Sequence, residues 1–364
     1  MKRQVYTIVV GLVAGYIAAA TAFAQPYITR EYGATAGAVS QVSIANLKAN
    51  WVVTGVRNGK GNLEVIVWKS NGSALARKGS ASGGAISNVA TADLSSSRFV
   101  TAVINGSADL ELIAWSVDSS GNVTREGDYV AEAAQTVDVV RLSSSRVATA
   151  VRDSGGNLTV DVWGVDSSGN ITAKGSVTDV AVSKAAIVAM SSTQLVTAAQ
   201  TSAGDLLVSS WGVSSSGSVT HQNDASAGAI SQVDVTSWAD NGHLGTAVRN
   251  GNGNLETIDW IVDSTTGAIT RQASFSVNGG ASKVAASTNG TLIFTAAEDS
   301  AGKLNVGVWG YDSSSKFVEA AHLEYDSASR VSAAPLSTST YTVTASRNGS
   351  GDLELNVFHY FVIG

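Results

Sequence analysis

Cysteine is absent from this chain of 364 residues. The absence excludes disulfides, a thiolate nucleophile, a metal site built on cysteine and lipid attachment at an N-terminal cysteine. An exported chain without cross-links has to be stabilised by its hydrophobic core alone. The fold must therefore bury a large hydrophobic core, because it has no disulfide bonds.

Charged residues are also scarce, at 14% of the chain. Glycine, serine, threonine, alanine and valine are abundant instead, which is typical of an all-β extracellular protein. The formal net charge is −6, and it becomes −8 if Lys2 and Arg3 are removed with an N-terminal signal. A mildly acidic surface disfavours nucleic acid and anionic membranes as partners.

The first 24 residues have the pattern of a secretory signal peptide. Lys2 and Arg3 precede an uncharged run from Val5 to Ala20, and Ala22-Phe23-Ala24 fits a small-x-small cleavage site. An uncleaved membrane anchor is the alternative, but the apolar run is short for a spanning helix. We expect a mature chain of residues 25–364 that forms a single domain, is not inserted in a membrane and lies in the periplasm or outside the cell.

The remainder of the chain is a series of seven similar segments. Each copy begins with a threonine and ends fourteen residues later with a large aromatic residue, as in "TAVRNGNGNLETIDW". The period is 47 to 49 residues, which is typical of repeat folds with four strands per repeat. The threonines and aromatics are Thr54 and Trp68, Thr101 and Trp115, Thr149 and Trp163, Thr197 and Trp211, Thr246 and Trp260, Thr295 and Trp309, and Thr344 and Phe358.

The third copy shows what one repeat predicts. Strands are expected over 136–142, 146–153, 158–166 and 171–174, separated by Ser, Gly and Asn turns. The third strand is apolar on both faces, so both faces must be covered. Seven four-stranded sheets packed around an axis would meet this need, and a linear solenoid is the alternative.

The two ends of the chain favour a closed ring over a solenoid. The last copy stops after its third strand, whereas "YITREYGATAG" after the signal peptide matches fourth-strand text such as "NVTREGDYVAE" from Asn122. Residues 27–32 are therefore predicted to pair with 353–361 and to complete the last sheet. Pairing there removes an exposed strand edge.

On this evidence the chain resembles the seven-bladed β-propeller repeat proteins with 1+3 strand closure, over 26–364. It lacks the Gly-His and Trp-Asp signatures of the Trp-Asp repeat propellers. Turns such as "SVDSSGNVT" from Ser116 are similar to the Asp-boxes of sialidase-type propellers. In those families the box is a structural turn, so the resemblance implies the fold and no specific activity.

The sequence offers little catalytic chemistry. The repeat length varies by two residues, which leaves no inserted lid or catalytic loop. The four histidines lack a partner at metal-ligand spacing and are interpreted as surface or turn residues: His221, His243, His322 and His359. We predict no catalytic residues, no metal site and no cofactor, with weak calcium binding in Asp-Gly turns left open.

A ring of residues at the end of each second strand is the candidate binding surface. Guanidinium groups and aromatic faces bind hydroxyls, carboxylates and peptide anchors. The alternative is a structural ladder in which Arg57, Arg249 and Arg347 pair with the glutamates seven residues later. The predicted ligand-binding residues are Arg57, Arg152, Arg249, Arg347, Tyr32 and Tyr129.

These observations lead to three interpretations of function. The leading one is a secreted, non-catalytic β-propeller that binds an extracellular glycan, as a lectin does, or a protein through the face between blades. The first alternative is a secreted glycan-processing hydrolase or lyase whose catalytic groups lie at the channel mouth. The second is a structural cell-surface or matrix protein. In each case a monomer is expected.

Overall fold

A computed structural model describes residues 26–238, 242–336 and 340–361. The proposed signal peptide, residues 1–24, lies outside the described residues. The described part is entirely β, with antiparallel pairing and no helix. It therefore contains no helix that could cross a membrane. The strands are β1 Tyr27–Lys48, β2 Trp51–Asn58, β3 Asn62–Ser70, β4 Leu75–Ser95, β5 Arg98–Asn105, β6 Asp109–Val117, β7 Val123–Ser143, β8 Arg146–Asp153, β9 Asn157–Val165, β10 Ile171–Ser191, β11 Gln194–Thr201, β12 Asp205–Val213, β13 Val219–Ser237, β14 His243–Asn250, β15 Leu255–Val262, β16 Ile269–Val277, β17 Lys283–Thr288, β18 Ile293–Glu298, β19 Lys303–Tyr311, β20 Phe317–Pro335, β21 Tyr341–Asn348 and β22 Asp352–Phe361.

Long strands connect neighbouring sheets. The first half of β7 pairs with β6, and its second half pairs with β8, with a register shift in each half. β4 and β10 do the same between their neighbours. Each such strand is the fourth strand of one group and the first strand of the next, so the strands fall into antiparallel groups of four. The sheet of a given copy below means the group that contains its Thr-to-aromatic segment.

The terminal strand β1 has the same double pairing. Its first part, from Tyr27 to Ala38, pairs antiparallel with β22, and its second part pairs with β2. The rings of Tyr27 and Phe361 stack with centroids 4.8 Å apart. Arg30 Nε donates to Asn356 Oδ1 over 2.6 Å. Residues at opposite ends of the sequence therefore share one sheet.

The conserved spacing of threonine and tryptophan has a direct structural cause. In six copies the indole N–H donates to the threonine hydroxyl fourteen residues earlier, over 2.7 to 3.0 Å. Both side chains are buried, and a buried indole N–H requires an acceptor. The seventh copy ends in Phe358, which has no N–H, and Thr344 Oγ1 has no partner among the described residues. Each tryptophan is thus oriented by its own repeat within the core.

Candidate active site

Asp259 departs from the pattern of its repeat. It occupies the position immediately before the terminal aromatic, where the other copies have Val67, Ala114, Val162, Ser210, Val308 and Val357. Its side chain is fully buried in the sheet of the fifth copy. Burying a carboxylate is costly unless hydrogen bonds compensate it. The surroundings of Asp259 therefore form a candidate functional site.

Three side chains donate hydrogen bonds to this carboxylate. Trp238 Nε1 lies 3.0 Å from Oδ1, and Tyr311 OH lies 2.6 Å from Oδ2. His243 Nδ1 lies 3.0 Å from Oδ1 and 3.1 Å from Oδ2. We call these four residues, Trp238, His243, Asp259 and Tyr311, the Asp259 cluster. The cluster draws on strands β14, β15 and β19 and on the residue after β13, so it bridges the fifth and sixth sheets.

The cluster replaces a contact that other sheets make. Arg98, Arg146 and Gln194 occupy the position of His243 in the second, third and fourth copies, and each donates to a turn carbonyl of the next sheet. The acceptors are the carbonyls of Asp166, Ser214 and Asp263. His243 bonds Asp259 of its own sheet instead, while Tyr311 comes from the next sheet to the same carboxylate. The fifth and sixth sheets are therefore joined through side chains with acid–base chemistry.

A cavity of about 380 Å³ opens beside His243. The residues that line it include Ser191, Ser237, Ser264 and Thr288. The His243 side chain is 22% exposed, whereas Asp259 is inaccessible. The carboxylate is thus sealed from solvent, and the imidazole lies between it and the cavity.

The geometry determines which ring nitrogen of His243 is available. An ionised carboxylate only accepts hydrogen bonds, so Nδ1 carries the proton in the neutral ring and Nε2 keeps its lone pair. Within the described part of the chain, Nε2 has no hydrogen-bond partner. An imidazole oriented in this way by a buried carboxylate can act as a general base toward water or a hydroxyl.

Tyr311 stabilises the Asp259 carboxylate by donating a hydrogen bond to it. Burial and the hydrogen bond to Asp259 raise the pKa of the Tyr311 phenol well above its usual value. The phenol therefore stays protonated and continues to donate to Oδ2. The rings of Trp238 and Tyr311 stack with centroids 6.0 Å apart and flank the imidazole.

The arginines predicted to bind a ligand lie at the opposite end of the sheets from His243. Arg57, Arg152 and Arg347 donate through Nε to the carbonyls of Ile86, Val182 and Val39 in the next sheet, over 2.6 to 3.0 Å. Arg249 donates to Ser231 Oγ over 2.7 Å. Arg57, Arg152 and Arg347 thus join neighbouring sheets, whereas Arg249 bonds a serine of its own sheet. A role of the four arginines in ligand binding stays a prediction.

The alternative ladder of arginine and glutamate does not form. In the register of β2 and β3, Arg57 lies opposite Leu63, and Glu64 lies opposite Val56. Side chains alternate across a sheet, so Arg57 and Glu64 lie on opposite faces. Glu64 pairs instead with Arg77 of the fourth strand, at 2.8 Å.

The two predicted tyrosines lie between sheets. Tyr32 OH and Ser70 Oγ are 2.6 Å apart. Tyr129 packs against Trp163, with ring centroids 5.3 Å apart. Their packing accounts for their partial burial, and their role in binding also stays a prediction.

The other histidines differ from His243 in their surroundings. His221 and His322 are more exposed, at 36% and 44% of their side chains, and they bond the carboxylates of Asp224 and Glu319. His359 stacks against Tyr341 at 4.0 Å. Among the described residues, no group of three or more His, Asp or Glu could hold a metal ion.

Of the comparisons with known proteins, that with solved structures finds a similarity, and it concerns the fold. No family model matches the chain, and no curated protein matches it. The structure is similar to that of a Pseudomonas aeruginosa periplasmic gluconolactonase, with a TM-score of 0.57 and 14% identity, over 78% of this chain and 84% of that chain. At this identity the likeness concerns the fold, which is of the propeller type. It is one of 884 solved chains that match, so function has to be argued from residues.

The comparison corrects the leading interpretation of function. A non-catalytic binding protein was expected because the repeat length varies by only two residues and leaves no inserted loop. A solved structure with this fold, the gluconolactonase, is an enzyme, which contradicts that interpretation and agrees better with the alternative of a hydrolase. The expectation failed to consider that titratable groups such as Asp259 and His243 can enter a repeat by substitution, without any change in its length.

Proposed function

We propose that this protein is an extracytoplasmic hydrolase in which His243, oriented by Asp259, activates water for attack on a small ester or lactone. The water proton passes to Nε2 as the oxygen bonds to the acyl carbon. The imidazolium then returns a proton to the leaving alkoxide as its bond to the acyl carbon breaks. Asp259 stabilises the imidazolium and keeps the ring oriented.

The observation that carries the proposal is a buried carboxylate bonded to one histidine at the wall of a cavity. Four donor contacts to Asp259 fix its position, so the imidazole is held in one orientation before substrate arrives. Hydroxyls around the cavity supply donors for the substrate oxygens. The side chains of Ser237 and Ser264 make no hydrogen bond with another described residue, and we propose them as such donors.

A small, hydroxylated substrate fits this cavity. A volume of about 380 Å³ lies at the lower end of the range for small-molecule sites. The solved structure that shares the fold is described as a gluconolactonase, whose substrate class is a sugar-derived lactone. A sugar lactone or a related ester is therefore the substrate class that we propose.

The finer architecture and location belong to the same proposal. The antiparallel groups of four strands would be seven blades, closed by the pairing of β1 with β22, in one domain over residues 25–364. Residues 1–24 would direct export and be removed. The pairing at the termini and the sequence of the first 24 residues support this view.

The test compares the wild type with His243→Ala and Asp259→Asn, using glucono-1,5-lactone and p-nitrophenyl acetate as substrates. Loss of a general base typically lowers the rate by about 10²- to 10⁴-fold. His322→Ala is the matched control, because His322 also bonds a carboxylate, at 3.1 Å, but outside the cavity. Circular dichroism establishes that each variant is folded.

Two results would refute the proposal. The first is unchanged turnover in folded His243→Ala. The second is a wild-type protein that hydrolyses neither substrate class above the rate in buffer, nor any other lactone or ester in a broad panel.

A further inference from the structure

A second site lies at the starts of the first strands, away from the Asp259 cluster. The third residue of each first-strand segment occupies an equivalent position, two residues after a buried small or aliphatic residue. None of the seven is acidic, and three are cationic. The seven residues are Gln41, Asn88, Thr136, Lys184, Gln232, Lys283 and Arg330.

Six of these residues converge on one cavity of about 270 Å³. The cavity wall also includes Val42, Val137 and Val233. All seven sheets contribute to it, so it lies where the first strands come together. The cavity is small, which limits an occupant to a few carbon atoms.

The charge in this cavity is positive and poorly compensated. Lys184 Nζ donates to the carbonyl of Ser231 over 2.6 Å, which leaves its charge without a carboxylate. Among the described residues, neither Lys283 nor Arg330 forms an ion pair. Glu298, which lies opposite Lys283 on the neighbouring strand, is the acidic group that acts on this lysine.

The pKa values of Lys184 and Lys283 are lowered in this cavity. Burial lowers the pKa of Lys184, and the positive charges of Lys283, Arg249 and Arg330 lower it further. Burial and Arg330 also lower the pKa of Lys283. An anion placed between these groups would relieve the repulsion.

The cavity is also divided into two sides. The cations belong to the fourth, sixth and seventh sheets, whereas neutral Gln41, Asn88 and Thr136 belong to the first, second and third. One side therefore favours acidic groups and the other favours hydroxyls. Arg330 reaches its place at a register shift in β20, with a positive φ of 54° that few residues other than glycine adopt.

We propose that this cavity binds a small organic anion that carries hydroxyl groups beside two acid groups, a hydroxylated dicarboxylate. Lys184, Lys283 and Arg330 would hold the carboxylates, and Gln41, Asn88 and Thr136 would hold the hydroxyls. The site is independent of the hydrolase proposed above, since none of its residues belongs to the Asp259 cluster.

Three four-carbon compounds test the proposal by isothermal titration calorimetry. Tartrate has both carboxylates and hydroxyls, succinate has only carboxylates, and erythritol has only hydroxyls. Tartrate should bind most tightly, and its affinity should fall as salt rises. Removing one charged hydrogen-bond partner should weaken it by about 10- to 100-fold, as in Lys283→Met or Arg330→Gln.

Matched variants separate a specific site from general attraction. Lys60→Met makes the same charge change as Lys283→Met, at an exposed turn residue, and should leave binding unchanged. Thr136→Val should weaken tartrate and spare succinate. Arg330 is exposed, so Arg330→Gln remains informative if Lys283→Met fails to fold. His243→Ala should bind tartrate normally, which keeps this test separate from the hydrolase.

Three outcomes would overturn the proposal. They are no tartrate binding to the wild type, equal losses in Lys60→Met and Lys283→Met, and equal affinities for succinate and tartrate. The last outcome would show that charge alone is recognised.

Discussion

Asp138 and Asp234 occupy equivalent positions in the third and fifth sheets, and together they make stability depend on pH. Each carboxylate accepts one N–H from the following residue and one from the first strand of the next sheet, over 2.7 to 2.9 Å. Burial raises the pKa of Asp138 to about 6. Burial and the charge of Asp138 raise the pKa of Asp234 to about 7. The four donors are Val139 and Ile187 for Asp138, and Val235 and Ala286 for Asp234.

The sign of the effect follows from the protons bound in each state. An aspartate in the unfolded chain has a pKa of about 3.9, so between pH 4 and pH 7 the folded protein holds more protons. Its free energy of unfolding must then fall as pH rises. From pH 5 to pH 8 the loss is roughly 1 kcal/mol for Asp138 and roughly 3 kcal/mol for Asp234, or about 4 kcal/mol together.

The perturbation is the double variant Asp138→Asn, Asp234→Asn. Urea unfolding of both proteins at half-unit intervals from pH 5 to pH 8 gives the free energy of unfolding. The variant should lose most of the pH dependence, because its amides do not titrate. It also gives up accepted hydrogen bonds, at a pH-independent cost of about 1 kcal/mol each. The slope with pH is therefore the readout, and His322, whose raised pKa acts in both proteins, cancels in the difference.

Equal slopes for the wild type and the double variant would refute this reasoning. They would mean that both carboxylates ionise as freely in the folded protein as in the unfolded chain. A wild type that is more stable at pH 8 than at pH 5, by an amount that the double variant abolishes, would reverse the sign and refute it too.

Three further predictions concern stability and assembly. Thr246→Val removes the acceptor of the Trp260 indole and should lower the free energy of unfolding by about 1 to 3 kcal/mol in urea. Thr344→Val, whose copy has no indole to bond, should be neutral or stabilising, and equal losses would contradict the pairing. Arg152→Ala leaves a carbonyl without its donor and should cost about 1 to 3 kcal/mol, whereas an unchanged midpoint would show that its bond between sheets is dispensable. Deletion of residues 25–35 exposes the edge of β22 and should cause aggregation on size-exclusion chromatography. The same segment appended after residue 364 should restore a monomer. A deletion variant that is soluble and fully stable would show that the pairing of β1 with β22 does not complete the last sheet.

The central strands of each repeat could be predicted from the sequence, and their neighbours only in part. The strand over 146–153 has the expected bounds, and 158–166 differs by one residue at each end. The strands predicted over 136–142 and 171–174 are parts of the longer strands β7 and β10. Outside those predicted spans the chain stays extended, because each long strand pairs first with one sheet and then with the next.

The hydrogen bond from tryptophan to threonine could not be predicted from the periodicity of the sequence alone. The spacing of fourteen residues was visible in every copy. Its meaning depends on the register of two adjacent strands, which sets Thr246 close to Trp260 on one face. The same register separates Arg57 from Glu64, so a shift of one residue decides between a contact and none.

The Asp259 cluster could not be predicted from the sequence, because none of its residues indicates a functional site when considered alone. An aspartate before the terminal tryptophan, a histidine at a position that varies among the copies and a tyrosine where four copies have valine look like ordinary drift when taken singly. A buried carboxylate without donors would cost several kcal/mol, so Asp259 is tolerable only if its donors are present together. The departures must therefore be read as a set. In a chain built from near copies, the other six copies supply the reference, and coordinated departures that meet at one buried charge mark a site that neither insertions nor motif spacing reveal.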